Sequence, residues 1–265
     1  MYARGEVEAN EILEAARKSG NLVRKLKQRI ATLTMSHYEG GYTSGRKLNP
    51  NRLILAHRKM QHLPSAGKVF ARRKEGIELD TALYLLLDCS ASMNLPKFRH
   101  AAAATLMLWQ AAVRVGIPVR IDGFSTYLED TIDRVLHIEV VNFNEIMADG
   151  QCAARLAVCS SRRRNNNDAQ SIAICYGNLL KVQEKRKILV VLSDGAPMDG
   201  NGPAIQPMTK KIIEDIERNK AVELYGIGIA DDSVKYYYTR HVVFNRIDEL
   251  EQNLITFIQN VLLKP

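Results

Sequence analysis

The sequence predicts an α/β fold in which a doubly wound, mostly parallel central sheet is flanked by helices and preceded by a helical N-terminal extension. From residue 81 onward, apolar strands alternate with amphipathic helices, which is the pattern of a parallel sheet covered by helices. The strands predicted at 81–87 and 188–192 are apolar throughout, as expected of strands covered on both faces. Ligands of such sheets bind beyond the carboxyl ends of the strands, so we expect a functional site there.

The other elements of the α/β domain follow from apolar periodicity and from helix-ending signals. Residues 101–104 are alanines, which favour a helix, and the Gly-Ile-Pro sequence at 116–118 ends it. Further strands are predicted at 119–124, 138–141 and 222–229, and helices at 97–115, 170–183, 208–219 and 248–263.

Residues 1–76 are predicted to form a basic, mainly helical extension, and residues 77–265 form the α/β domain. Apolar residues at helical spacing predict a helix over 6–35. The rest of the extension is predicted to contain a loop at 40–51, a helix at 52–60, and short strands at 68–70 and 77–79 on either side of a turn at 72–76.

The net charge of the chain is concentrated before the α/β domain. Residues 1–80 contain 16 Lys and Arg but only 8 Asp and Glu, so this segment carries the whole formal charge of +8 and the remainder is neutral. Such an asymmetry predicts that the extension has its own partner or its own acidic docking surface.

Composition and cysteine spacing argue against several classes of protein, namely small zinc-binding, thiol-redox, secreted and membrane proteins. The four cysteines lack C-x-x-C spacing, so neither a zinc knuckle nor a thioredoxin-like site is indicated, and we expect free thiols in a reducing compartment. The N-terminus lacks the apolar core of a signal peptide, and no apolar run approaches the roughly 20 residues of a membrane span. We therefore expect a soluble cytoplasmic protein that has no membrane partner.

The most informative motif follows the first buried strand. The sequence Asp-Cys-Ser-Ala-Ser at 88–92 places Asp88, Ser90 and Ser92 at alternate positions in a loop that leaves the end of this strand. One carboxylate and two hydroxyls can then approach a single point. Oxygen ligands of this kind suit a hard divalent cation such as Mg²⁺ rather than zinc.

Two later loops provide further carboxylates. Asp194 follows the buried strand at 188–192, and Asp168 lies in an Asn-Asn-Asp-Ala sequence directly before a predicted helix. Both Asp168 and Ser92 also suit the role of a helix N-cap, which stays open as an alternative. If the strands are neighbours, the three loops converge, and the sequence predicts one cation bound by Asp88, Ser90, Ser92, Asp168 and Asp194.

The D-x-S-x-S loop resembles the first loop of the metal-ion-dependent adhesion site of von Willebrand factor A domains. The chain as a whole is similar to the C-terminal von Willebrand A domain of the CobT subunit of aerobic, ATP-dependent cobaltochelatase. The similarity covers most of residues 77–263. Its two most particular patches are 186–197, which contains S-D-G-A-P, and the segments within 213–237, and the others are 85–93 and 123–126.

This resemblance implies a Rossmann-like fold and a non-catalytic role. The ligands would be those named above, with Asp168 at the place where typical A domains supply a threonine, and with Ala169 where the CobT branch has a glycine. The cation would be Mg²⁺, or another divalent ion such as Mn²⁺ or Ca²⁺. The implied partners are an AAA+ ATPase ring of the CobS or MoxR type and a large chelatase-like subunit of the cobalamin pathway. The short region before the domain is expected of a reduced relative in a compact genome such as that of a phage.

Two other functions stay open. One is a metal-dependent hydrolase, although the six histidines are scattered and form no H-E-x-x-H motif. The other is a nucleic-acid-associated basic protein, because Lys and Arg cluster at 24–29, 72–74 and 162–164. The chain contains no P-loop sequence, so any ATPase activity would belong to a partner.

Overall fold

The computed structural model describes residues 2–18, 24, 28, 37–58, 68–74, 80–114, 116–161, 164–198, 204–244, 256, 257 and 261. The chain divides into two compact units. The larger unit combines Met1–Lys27 with Asp80–Lys264, and the smaller unit comprises Gln28–Leu79. The first part of the predicted extension therefore groups with the α/β domain and not with the segment that follows it.

The elements are numbered here in chain order. The helices are α1 (Tyr2–Lys18), α2 (Pro50–Arg58), α3 (Leu95–Val113), α4 (Asp149–Cys159), α5 (Asp168–Leu179), α6 (Ile205–Asn219) and α7 (Val234–Tyr237). The strands are β1 (His37–Tyr42), β2 (Lys47–Leu48), β3 (Phe70–Lys74), β4 (Thr81–Asp88), β5 (Val119–Glu129), β6 (Ile132–Val141), β7 (Arg186–Ser193), β8 (Glu223–Ile229) and β9 (His241–Phe244).

The larger unit is built on a six-stranded sheet with the order β6-β5-β4-β7-β8-β9. Strand β4 pairs in parallel with β5 on one side and β7 on the other, and β8 and β9 continue the parallel part. Strand β6 runs antiparallel to β5 at the edge. The chain leaves β4 toward one side and later returns to its other side, which creates a topological switch point between β4 and β7. The predicted fold class is confirmed.

Helices cover both faces of this sheet because its central strands are apolar on both faces. All eight residues of β4 are buried, and so are Ala101–Ala104 of α3, whose small side chains let the helix approach the sheet closely. Helix α1 packs against α3 and α4. Its Ile12 and Ala16 are buried, and its Glu8 accepts a hydrogen bond from the hydroxyl of Ser160. The four cysteines are buried free thiols, as predicted.

The smaller unit contains an antiparallel sheet with the strand order β1-β3-β2, together with α2. The predicted loop at 40–51 is wrong in part, since the end of β1, all of β2 and the start of α2 lie within it. The predicted turn at 72–76 is also wrong as far as Lys74, because β3 runs through Phe70–Lys74. Both errors arose because glycines and charged residues dominate these strands, which favours loops in a sequence pattern. The strand predicted at 77–79 lies outside the described residues.

Most predicted elements of the larger unit are present, with four differences. Strands β5 and β6 form a long hairpin, whereas only 138–141 was predicted for β6. Helix α4, the short helix α7 and the edge strand β9 were not predicted. Edge elements such as β6 expose polar side chains, so their apolar signal is weak. The closing helix predicted at 248–263 falls mainly outside the described residues, as does the second half of the helix predicted at 6–35.

Candidate metal site

Three loops meet at the carboxyl edge of the larger sheet, where the switch point lies. The first loop joins β4 to α3, the second precedes α5, and the third follows β7. They carry the residues that the sequence singled out: Asp88, Ser90 and Ser92 in the first, Asp168 at the start of α5, and Asp194 in the third. Adjacent pairing of β4 with β7 brings the first and third loops together.

Hydrogen bonds between side chains join the first and third loops. The Ser193 hydroxyl donates to Asp88 Oδ2 at 2.7 Å, and the Ser92 hydroxyl donates to Asp194 Oδ1 at 2.8 Å. The Ser90 and Ser92 hydroxyl oxygens lie 2.8 Å apart, and the Ser90 backbone N–H donates to Asp88 Oδ1 at 2.7 Å. Four of the five predicted ligands therefore form one hydrogen-bonded chain.

The second loop is held against both of the others. Asn166 forms a two-stranded bridge with Met198 of the third loop, with N–H···O distances of 2.8 and 3.2 Å, and its side-chain Oδ1 accepts from the Met198 N–H at 3.0 Å. The Ala91 N–H of the first loop donates to the Arg164 carbonyl at 2.7 Å. These contacts fix the loop that leads into Asp168.

The helix caps in these loops are provided by asparagines. Asn94 Oδ1 accepts from the Lys97 N–H at 3.1 Å and caps α3, and Asn167 Oδ1 accepts from the Gln170 N–H at 3.1 Å and caps α5. The capping alternatives for Ser92 and Asp168 are therefore wrong. Asp168 is the first residue of α5, and its carboxylate does not cap the helix.

The three carboxylates lie in a region that excludes water. Asp88, Asp168 and Asp194 have exposed fractions of 0, 2 and 3%. Burial raises the pKa of Asp88 to about 6, although hydrogen bonds from Ser90 and Ser193 oppose the shift. Burial and the charge of Asp88 also raise the pKa of Asp168 well above its usual range. Asp168 Oδ2 has no hydrogen-bond partner in the described part of the chain. Isolated buried carboxylates are costly, so these groups favour a nearby positive charge.

The sequence analysis did not identify Lys97, whose positively charged side chain contacts one of these carboxylates. The Lys97 ammonium, in the first turn of α3, lies 2.8 Å from Asp194 Oδ2. A single lysine in a first helical turn carries no recognisable pattern, so only the fold reveals this contact. One ammonium compensates one of three carboxylates.

The residues present fit a hard divalent cation, with oxygen atoms as the only ligands. Within the described ranges, no three His, Cys, Asp or Glu side chains form a group that could bind a metal by themselves. This holds for Asp88, Asp168 and Asp194 as well, so an ion at this place would also need the hydroxyls of Ser90 and Ser92 as ligands. An ion at this place would replace the Ser92–Asp194 hydrogen bond and the Lys97–Asp194 ion pair, and it would give Asp168 Oδ2 a partner.

A sheet of this order, with three oxygen-rich loops at its switch point, defines a von Willebrand factor A-type domain. The sequence model of the family described as "Cobalamin biosynthesis protein CobT VWA domain" matches residues 69–264. The chain belongs to this family, and the similarity expected from the sequence is confirmed.

Individual relatives are more distant. The protein YojO of Bacillus subtilis (strain 168) is 25% identical over 177 residues, which cover 63% of this chain but only 26% of YojO. The PilB minor pilin from Streptococcus sanguinis has a TM-score of 0.53 at 14% identity over 74% of this chain and 65% of its own. The pilus adhesin SpaC from Lactobacillus rhamnosus GG has a TM-score of 0.50 at 15% identity over 69% and 30%. The similarity to these two structures shows the fold alone.

Among the described helices, none has the length and apolar character that crossing a membrane requires.

Proposed function

We propose that this chain is a metal-dependent protein-interaction adaptor of the CobT kind. The observation that carries the proposal is the convergence of three hydrogen-bonded loops around buried carboxylates, beside which the described residues place one ammonium, that of Lys97. In this proposal Asp88, Ser90, Ser92, Asp168 and Asp194 hold Mg²⁺, or another divalent ion such as Mn²⁺ or Ca²⁺.

Charge balance supports a divalent ion over a second lysine. When ionised, the three buried carboxylates and the ammonium of Lys97 leave an excess negative charge, and the raised pKa values of Asp88 and Asp168 reflect the cost of burying it. A divalent cation bound by the three carboxylates compensates more of this charge than the single ammonium of Lys97 does. The Lys97 side chain is 31% exposed, so it can turn toward solvent when an ion takes its place beside Asp194.

The proposed ion would keep a position for a ligand from outside. A cation bound by protein carboxylates and hydroxyls at the edge of a sheet is a strong local charge, and a partner carboxylate completes its coordination. The exposed position of Ser92 supports access from solvent. Family membership makes an AAA+ ATPase of the CobS or MoxR type the partner to test first, and a large chelatase-like subunit the second.

The histidine contacts support an adaptor rather than a hydrolase. Hydrolytic metal sites place a general base beside the bound water. His100, His137 and His241 contact the Pro96 carbonyl, Asp122 and the Tyr238 carbonyl, and none of these is a candidate ligand.

The test is the association of the chain with the CobS/MoxR-type ATPase of the same genome. We expect a complex in millimolar Mg²⁺ that dissociates in EDTA, as measured by size-exclusion chromatography with light scattering. Asp88→Asn should lose the complex in both conditions. The matched control is Asp215→Asn, which removes an exposed carboxylate paired with Arg218 on α6 and should leave the complex intact. Association that is unchanged in EDTA and in Asp88→Asn would refute the proposal.

A further inference from the structure

The positive charge of this protein is concentrated in one of its two units. Residues 28–79, which make up the smaller unit, contain ten Lys or Arg and three Asp or Glu, a net charge of +7 out of +8 for the whole chain. Among the described residues of this unit, Arg46, Lys47, Arg52, Arg72 and Arg73 are all exposed. Such a density of cations repels itself and attracts a polyanion.

Aromatic rings stand among these cations on the small sheet. Tyr38 of β1 is 52% exposed and lies directly opposite Arg73 of β3, so the two side chains share one face. The Lys47 ammonium of β2 lies 4.3 Å from the centre of the Tyr38 ring. One exposed ring therefore has two cations from different strands as neighbours.

A second ring and cation lie on the opposite face of the small sheet, because Tyr42 pairs with Phe70 and Arg72 alternates with Arg73 along β3. The Arg72 guanidinium lies 4.9 Å from the centre of the Tyr42 ring, and it donates hydrogen bonds to the Ser44 carbonyl and hydroxyl at 3.0 and 2.9 Å. Between the two tyrosines, Gly41 has a φ of +114°. A Cβ built at Gly41 would come within 3.1 Å of the Arg52 guanidinium, so the glycine lets this third cation lie against the strand.

We propose that the face defined by Tyr38, Lys47, Arg52 and Arg73 binds single-stranded nucleic acid. A base can stack on the Tyr38 ring, and the neighbouring cations then meet the phosphates on either side. Stacking platforms lined by cations are the usual means of binding a single strand without reading its sequence. The site lies in the smaller unit and does not depend on the proposed metal site.

The exposed tyrosine favours a nucleic acid over an acidic protein. An acidic peptide would be attracted by the lysines and arginines alone and would gain little from an exposed ring. A duplex would also be attracted by charge, but its bases are already stacked and cannot reach Tyr38. The change in binding affinity when Tyr38 is substituted therefore distinguishes a single strand from a duplex and from an acidic peptide.

The test uses the full chain in EDTA and fluorescence anisotropy with a labelled 20-nucleotide poly(U) RNA, a matched poly(dT) strand and a DNA duplex of the same length. We expect both single strands to bind at low salt, with affinity falling as salt rises. Tyr38→Leu should weaken single-strand binding about fivefold or more, because stacking is lost while the charge is kept. Lys47→Gln with Arg73→Gln should weaken it further and flatten the salt dependence.

The matched control is Lys185→Gln with Arg218→Gln, which removes two exposed cations from the larger unit and should leave binding unchanged. Circular dichroism of every variant excludes loss of folding as the cause. The proposal is overturned if single strands do not bind at about 50 mM salt, where phosphate contacts are strong. It is equally overturned if Tyr38→Leu binds like the wild type, or if polyglutamate displaces the RNA as well as unlabelled RNA does.

Discussion

Lys97 and Asp194 form an ion pair at the switch point, with the lysine ammonium 2.8 Å from Oδ2 of a carboxylate whose other oxygen accepts the Ser92 hydroxyl. The lysine lies in the first turn of α3 and the aspartate directly follows β7, so the pair links two loops that approach the crevice from different elements. In the proposed metal site, an ion that binds Asp194 would compete with this lysine.

The first prediction concerns competition between this lysine and the metal. Lys97→Met keeps the length of the side chain but removes the charge, so the ion no longer has to displace an ammonium. A partly exposed ion pair contributes up to about 1 kcal/mol, so Mg²⁺ should bind roughly fivefold more tightly to the variant. Calorimetric titration measures this change. Lys185→Met, which removes a lysine paired with Asp80, is the control and should bind Mg²⁺ like the wild type.

The second prediction concerns the bridge between Asn166 and Met198. Asn166→Ala removes the side-chain acceptor of the Met198 N–H and should lower the free energy of unfolding by about 0.5–1.5 kcal/mol, because one hydrogen bond is lost while the Met198 N–H keeps the Asn166 backbone carbonyl as a partner. The second and third loops would then be held less firmly, so Mg²⁺ affinity should also fall. Urea denaturation and calorimetry measure the two effects. A loss of stability with unchanged metal affinity would show that the bridge does not position the site.

The third prediction concerns helix α1 as part of the larger unit. Ile12 is completely buried where α1 packs on its neighbours, so Ile12→Ala should lower the free energy of unfolding by about 2–5 kcal/mol. Val7 lies on the same helix and is 55% exposed, so Val7→Ala should change stability by less than about 0.5 kcal/mol. Equal effects of the two substitutions in urea denaturation would mean that α1 does not dock as described.

The fourth prediction concerns a buried carboxylate away from the crevice. Burial opposes ionisation of Asp122, but hydrogen bonds from His137 and Tyr84 and the charge of Arg120 outweigh it, so its pKa lies below the usual value. A lowered folded-state pKa stabilises the protein above the unfolded value of about 3.9, and this contribution disappears as the pH falls through the folded-state pKa. The stability difference between wild type and Asp122→Asn should therefore be largest near neutral pH and decrease below pH 4. A difference that is constant with pH would contradict the assignment.

The central part of this fold could be predicted from sequence because its fully buried strands appear there as continuous runs of apolar residues. Continuous apolar runs identified β4 and β7, and the polar residues that end them identified Asp88 and Asp194. The long hairpin of β5 and β6 could not be predicted to its full length, since β6 is an edge strand with alternating charged and apolar residues. The sheet of the smaller unit was not predicted for a similar reason. Its strands contain glycines and arginines at positions where the strands of the larger sheet have apolar residues.

The candidate ligands can be recognised in the sequence, whereas the contacts that hold them in place cannot. Asp88, Ser90 and Ser92 share a short stretch of sequence, so their spacing is visible. The contacts of Asn166 with Met198 and of Lys97 with Asp194 join residues 32 and 97 positions apart, and they depend on strand order, which no local pattern encodes. The capping roles of Asn94 and Asn167 were hidden because serine and aspartate beside them are equally good caps.

The measurement that tests the central claim most directly is calorimetric titration of the purified chain with Mg²⁺. We predict one bound ion per chain, with binding lost in Asp88→Asn and in Asp194→Asn and retained in Asp215→Asn, while circular dichroism shows all four proteins folded. Absence of binding at millimolar Mg²⁺, Mn²⁺ and Ca²⁺, or equal binding by the wild type and all three variants, would contradict the account.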